Sequence, residues 1–247
     1  MEFRFFHFYP DLMSLYGSYG NLSVLRRLLE RLGHSVTVTP VALGGEADLV
    51  QGDLLFMGAG TERAQKAALA DFTRFGPALK AQAEAGMAVL FAGNAMELLG
   101  ASITCRRPGE TETVYQGLGL SGFTAVQEPQ RLTGDVYGRT DLYPDAVVGF
   151  MNKCSLIFGV ETPLLTGAAM GWGNEAQGEP EGFHWKNVFA SELTGPILVK
   201  NPRLLEAVAG ALLTRRGLPL PEEFPRDPYA EAGYAVTEEQ LRLRAEK

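Results

Sequence analysis

The run Ala88-Val89-Leu90-Phe91-Ala92-Gly93-Asn94-Ala95-Met96-Glu97-Leu98-Leu99-Gly100 decides how the rest of the chain is arranged. Its first five residues are unbroken apolar, with Val and Phe among them, the composition of a strand buried on both faces. The chain then turns at Gly93-Asn94, and good helix formers follow. Gly100 is placed to end that helix as its C-cap. Strand, sharp turn and short helix make the geometry of a nucleophile elbow, which lifts the turn residue above the sheet beside a helix N-terminus. An enzyme puts Cys or Ser there, because the positive end of the helix favours the thiolate. Gly93 tolerates the positive φ of such a turn but carries no nucleophile.

Upstream, Glu2 to Tyr9 is rich in aromatics and reads as a first strand, broken at Pro10-Asp11. A loop of Gly, Tyr and Ser runs to Asn21. From Leu22 to Leu32, Leu22, Leu25, Leu28, Leu29 and Leu32 fall at helical spacing, with Arg26, Arg27, Glu30 and Arg31 on the other face and Gly33 as cap. Ser35 to Val41 alternates Val with Thr and predicts a second strand. Asp53 to Met57 is a third, ending in Gly58-Ala59-Gly60. Thr61 to Ala85 is helical by composition, interrupted at Gly76-Pro77. Strands alternating with helices imply parallel pairing and a sheet covered on both faces.

Downstream the texture changes. Glu112 to Met170 is Gly-rich with short strand-like segments at Arg131–Tyr137 and Ala146–Met151, which predicts antiparallel strands. Gly171 to Gly182 reads as a loop and His184 to Glu192 as one strand. A helix is expected from Asn201 to Arg215, with Asn201 as N-cap and Pro202 at its first position. Pro219, Pro221, Pro225 and Pro228 mark an extended tail, with a short charged helix from Thr237 to Ala245.

A chain of 247 residues can bury a full core. Hydrophobic content of 46% and charged content of 21% are those of an ordinary globular protein. The net charge of −7 argues against nucleic acid as partner, since a phosphate backbone requires a basic face. No apolar run approaches the roughly 20 residues of a spanning helix, and no signal peptide is read, so no membrane insertion is expected. Cys105 and Cys154 have neither metal-ligand spacing nor a CxxC pattern, which makes a reduced, cytoplasmic setting the expectation. No metal site and no cofactor are expected.

Four motifs then occur in order. Tyr9-Pro10-Asp11-Leu12-Met13-Ser14-Leu15-Tyr16-Gly17-Ser18-Tyr19-Gly20-Asn21 closely resembles the opening of the GatD-type amidotransferase subunits of lipid II isoglutaminyl synthase. It is also similar to the wider cobyric-acid-synthase-like group of class I glutamine amidotransferases. Leu98-Leu99-Gly100 resembles the end of their CGGYQLLG elbow. Gly171-Trp172-Gly173-Asn174, Glu181-Gly182 and Lys186-Asn187-Val188 resemble GFGNN…EG…KNV, and Leu193 to Pro202 resembles YLHGPLLPKNP. The resemblance runs from Tyr9 to about Leu213. It implies an α/β fold of the class I glutamine amidotransferase, flavodoxin-like type, a mostly parallel sheet flanked by helices with added antiparallel strands. Residues 1–217 form that domain, and 218–247 are a Pro-rich tail outside it.

In that family a thiolate attacks the glutamine side-chain amide and a His transfers the proton, giving a glutamyl thioester and ammonia. Aligned back from Gly100, the family's catalytic Cys falls on Gly93, and its His falls on Thr194. Neither residue can do the work of the group it replaces. Backbone N–H groups near the elbow at Asn94 and near the Gly58-Ala59-Gly60 turn would form the oxyanion hole. Arg131, in Arg131-Leu132-Thr133-Gly134-Asp135, resembles the family's glutamine-holding Arg and could pair the α-carboxylate; the alternative is a surface Arg on a strand.

Other nucleophiles and bases have plainer readings. Cys154 falls where the family has an Asn-His-Gly-like run and reads as a half-buried strand residue; Cys105 reads as a loop thiol. His184 reads as a packed aromatic, His7 as core or edge, and His34 as solvated. Ser191 and Glu192 are expected near the old site in a structural role. The resemblance implies a Mur-ligase-like, ATP-dependent partner in peptidoglycan precursor synthesis, amidating the D-glutamate of lipid II. The chain would be a catalytically degenerate subunit. Two alternatives stay open: an active amidotransferase using other or partner-supplied groups, and a glutamine-binding sensor. On sequence alone, Gly93→Cys with Thr194→His is expected to recover weak glutaminase activity.

Overall fold

A computed structural model describes all of residues 1–247. The N-terminal half is built from β1 (Glu2–Phe8), α1 (Gly20–Arg31), β2 (Ser35–Val41), β3 (Leu54–Met57), α2 (Glu62–Phe72), α3 (Gly76–Glu84) and β4 (Ala88–Ala92). Next come β5 (Ser102–Cys105), β6 (Thr113–Gln116), β7 (Thr124–Arg139), β8 (Val147–Phe158) and β9 (Gly167–Met170). The chain closes with β10 (Phe183–Trp185), β11 (Val188–Ser191), β12 (Leu193–Thr194), α4 (Ile197–Lys200), α5 (Pro202–Arg215) and α6 (Pro228–Ala245).

One sheet has the order β10-β11-β4-β3-β1-β2, parallel throughout except for β10. Its central strands β3, β4 and β11 are buried on both faces because each face carries its own core. Leu55, Met57, Val89 and Phe91 pack with Phe72, Phe75, Leu98 and Phe123 on one side. Leu54, Phe56, Ala88 and Leu90 pack with Leu25, Leu29, Val208 and Leu212 on the other. The alternation of β3 and β4 thus feeds two layers, the pattern expected of a strand buried twice. The added antiparallel strands do not extend this sheet. They form a second one, in the order β12-β8-β7-β5-β6 with β9 on β7, and only β5 runs parallel to its neighbour β7.

Four local expectations are corrected. The segment after β4 is a 3₁₀ helix, Gly93–Leu99, and Gly100 is extended at φ −73°. Its Gly is required by close approach instead: a Cβ there would lie 2.5 Å from the Phe123 carbonyl oxygen. His184 to Glu192 is two strands, reversed at Lys186-Asn187 with Lys186 at φ 52°. Asn201 stands at the start of α5, but its side chain does not cap it. Its Oδ1 accepts from Val148 N at 2.8 Å and its Nδ2 donates to the Val148 and Ile197 carbonyls, tying the helix to β8. Finally, the terminal helix starts at Pro228, not Thr237. Asp227 accepts from Tyr229 N and Ala230 N, so it is the N-cap and Pro228 fills the first turn.

Candidate active site

The parallel strands end at one edge, and β4 delivers Gly93 there at φ +66°, a left-handed conformation that glycine adopts without a Cβ clash. Thr194 arrives from β12, which pairs antiparallel with β8 so that Thr194 faces Phe150. The two positions meet across a small cavity whose walls also include Arg131, Glu62, Asn152 and Cys154. The sequence-expected residues Gly93, Asn94, Gly60, Arg131 and Thr194 are therefore brought together. Gly58 lies just behind, packed so tightly that a Cβ would meet Met13 O and Ser18 Cβ at 2.5 Å.

The chain's own groups occupy the polar positions of this site. Thr194 Oγ1 donates to the Phe150 carbonyl at 2.9 Å, so the hydroxyl is spent on backbone. Asn94 stands where the elbow motif CGGYQLLG has Gly. Its Oδ1 accepts the Gly60 N–H at 2.9 Å, and its Nδ2 donates to Gly60 O at 2.9 Å. The Ala59 N–H points to Ser18 Oγ at 3.3 Å. Two donors that could face an oxyanion, the Ala59 and Gly60 N–H groups, are thereby already paired. Arg131 is not a bare surface Arg. Its guanidinium donates to Glu62 at 2.7 Å and to Asn152 Oδ1 at 2.6 Å, and Asn152 in turn donates to the Tyr16 hydroxyl at 3.0 Å. Burial alone would raise the Glu62 carboxyl, but Arg131, the Glu62 backbone N–H and the Cys154 thiol together hold the group below the usual range. The enclosed space is about 20 Å³, room for roughly one water and far below the roughly 300 Å³ at which small-molecule pockets begin.

Cys154 does line the cavity, which its reading as a strand residue does not anticipate. Its thiol donates to Glu62 at 3.3 Å. Burial, and then the Glu62 and Glu97 carboxylates, push its pKa up, away from a reactive thiolate. Cys105 donates to Gln127 Oε1 at 3.2 Å. None of the three histidines lines the cavity. His184 packs on Phe189 at 4.8 Å between ring centroids, His7 is buried against Phe56, and His34 lies half-buried edge-on to Phe3.

Glu97 and Lys153 also line the cavity and, with Glu181 and Glu192, form a group of buried charges of which the sequence reading anticipates only Glu192. Glu97 is 1% exposed, accepting from Gln127 Nε2 at 2.6 Å and Ser155 Oγ at 2.8 Å. Lys153 is buried and donates to the Gly173 and Asn174 carbonyls. Glu181 accepts from Ser191 Oγ and the Glu192 N–H, so Ser191 and Glu192 do play structural parts. Glu192 is buried, and its Oε1 has no partner. Burial raises the pKa of all three carboxyls and lowers that of Lys153. The signal that marks Glu97 is its place in the elbow motif, where Gln is expected. Lys153 is marked by falling in the Asn-His-Gly-like run.

Comparison with known proteins fits this geometry. Residues 4–202 match the CobB/CobQ-like glutamine amidotransferase domain, and the chain belongs to that family. It is 28% identical over 232 residues to the lipid II isoglutaminyl synthase (glutamine-hydrolyzing) subunit GatD of Staphylococcus aureus (strain N315), covering 94% of this chain and 93% of that one. The same subunit of Streptococcus pneumoniae (strain ATCC BAA-255 / R6) is 29% identical over 212 residues, 85% of this chain and 80% of that one. A glutamine amidotransferase structure from Thermotoga maritima shares the fold, with a TM-score of 0.51 at 13% identity, covering 97% of this chain and 95% of that one. No helix of the chain is long and apolar enough to cross a membrane.

Proposed function

We propose that this chain is a GatD-like subunit that no longer hydrolyses glutamine. In this reading it serves a Mur-ligase-like, ATP-dependent partner that amidates the D-glutamate of lipid II in the cytoplasm, as one half of a heterodimer. The observation that carries the proposal is the elbow itself. Gly93 presents no nucleophile, Thr194 no base, and the Gly60 N–H is closed off by the Asn94 side chain. Thioester chemistry needs all three groups at once. The similarity to two GatD subunits over most of the chain supports the pathway, and their printed description as subunits supports a partner. Substrate binding by Arg131 would require glutamine to displace Glu62 and open a space that now holds about one water. That geometry disfavours a glutamine sensor.

The test has two arms. Purified chain is given glutamine, alone and with the partner that co-purifies from the native cell, and ammonia is measured. No release above the blank is expected from the chain alone, and a ligase of the Mur type is expected in the co-purified fraction. Ammonia release by the chain alone would overturn the loss of hydrolysis; co-purification without any ATP-dependent ligase would overturn the partner.

A further inference from the structure

A second and far larger cavity, about 490 Å³, opens to solvent beside the closed one. It lies between the first turns of α2, the β5–β6 hairpin and the irregular stretch of β7 between Gln127 and Leu132. Arg131 and Glu62 form the wall between the two cavities. Five cations line it, Arg63, Lys66, Arg106, Arg107 and Arg131, against the three carboxylates Glu62, Glu110 and Glu128. This excess of positive charge belongs to a chain whose net charge is −7. A concave surface with a net positive charge concentrates anions.

The cations are not all spent on those carboxylates. Arg131 is held by Glu62, and Arg106 by Glu112 and Glu128. Arg107 reaches only Glu110, at 3.7 Å, with both side chains more than 60% exposed. Arg63 is exposed and makes no hydrogen bond or ion pair. Lys66 has no carboxylate within ion-pair distance. Its Nζ donates to the side-chain oxygens of Gln65 at 2.6 Å and Gln127 at 2.8 Å, and it stands 5.4 Å from the centre of the Tyr115 ring. Forked guanidinium donors match phosphate oxygens in pairs, and an ammonium adds a point charge. The volume falls within the range of small-molecule sites and exceeds what a bare phosphate needs. Tyr115, partly exposed on the hairpin, offers an aromatic surface to the remainder of the ligand.

We infer that this cavity binds a phosphorylated small molecule of nucleotide size, with Arg63, Arg107 and Lys66 on the phosphate and Tyr115 against the organic part. The inference goes beyond the amidotransferase-family reading and stands whether or not glutamine is hydrolysed.

The experiment is calorimetric titration of the full chain at low salt with ADP, pyrophosphate and citrate. ADP and pyrophosphate are expected to bind with dissociation constants below about 1 mM, ADP the tighter. Arg63→Ser with Arg107→Ser, both at the exposed rim, weakens both at least about ten-fold while the melting temperature holds, and Tyr115→Ala removes the advantage of ADP over pyrophosphate. Silence from both phosphates up to about 10 mM, affinity unchanged in the double variant, or citrate binding as tightly as pyrophosphate would each overturn the assignment.

Discussion

A Cβ built on Gly93 would lie 2.6 Å from Ala59 Cβ, and the backbone there already sits at φ +66°. Restoring sulfur at that position is therefore not the simple reversal that sequence suggests. Gly93→Cys is expected to cost roughly 2–4 kcal/mol, from overpacking and from left-handed backbone in a non-glycine residue. Adding Ala59→Gly removes the contacting methyl and should return about 1 kcal/mol or more. Urea denaturation of the single and double variants checks both; equal midpoints would mean that the turn relaxes freely. The structure also adds a condition to Gly93→Cys with Thr194→His. Without Ala59→Gly that pair should stay silent in an ammonia assay, because strain is not relieved at the elbow. At this scale sequence shows that residues 93 and 194 are Gly and Thr, and the family resemblance says why those two positions matter. That Asn94 closes on Gly60, and Arg131 on Glu62, is not legible, because each pair joins residues more than 30 positions apart.

Elements were legible where periodicity was strong. The leucine face of α1 and the apolar runs of β3 and β4 stand out because each meets a full core. The hairpin at Lys186-Asn187 is invisible to pattern alone, since a two-residue reversal leaves strand-like residues on both sides. The same holds for α6, whose eighteen residues bury only Leu241 and so carry a weak amphipathic signal. It is fastened instead by polar contacts: Tyr137 to Glu238, Tyr234 to the Ala146 carbonyl, Arg244 to Asp135, and Arg203 to Glu231. The Arg244–Asp135 pair is exposed and contributes little, and the three part-buried contacts about 1 kcal/mol each at most. A chain ending at Gly217 is expected to stay folded and unfold cooperatively, with a loss of about 1–3 kcal/mol by urea titration. Collapse of its near-ultraviolet circular dichroism would show that α6 is integral to the core.

The pH dependence of stability belongs to the molecule as a whole. His7 is buried with its Nε2 unpartnered, and burial, opposed only by Asp11, lowers its pKa from 6.5 to about 4. Between those values the unfolded chain binds a proton that the folded chain does not. Stability therefore falls as pH drops through this window and is intact above 6.5. The carboxyls of Glu97, Glu181 and Glu192 act in the opposite sense: their raised pKa values favour the folded state at low pH, and that contribution is lost as pH rises above 4.5. His7→Phe, beside Phe56, removes the first effect alone. Its stability relative to the parent should grow toward pH 4 by up to about 1.4 kcal/mol per pH unit, read from urea midpoints across that range. Parallel curves for the two chains would place the acid sensitivity elsewhere.

Sequence by itself determined the layered α/β plan, the family resemblance, and the absence of a thiol at Gly93 and of an imidazole at Thr194. The plan follows from local pattern, and the family and the places to look for thiol and imidazole follow from motif resemblance; neither needs knowledge of what lies opposite. Tertiary structure alone decided that the antiparallel strands form a separate sheet, that Glu97, Lys153 and Glu181 gather with Glu192 near the elbow, and that the cavity at Gly93 and Thr194 is only about 20 Å³. The reason is physical: burial and the closure of polar groups on one another depend on distances between strands far apart in the chain, and no single stretch carries them.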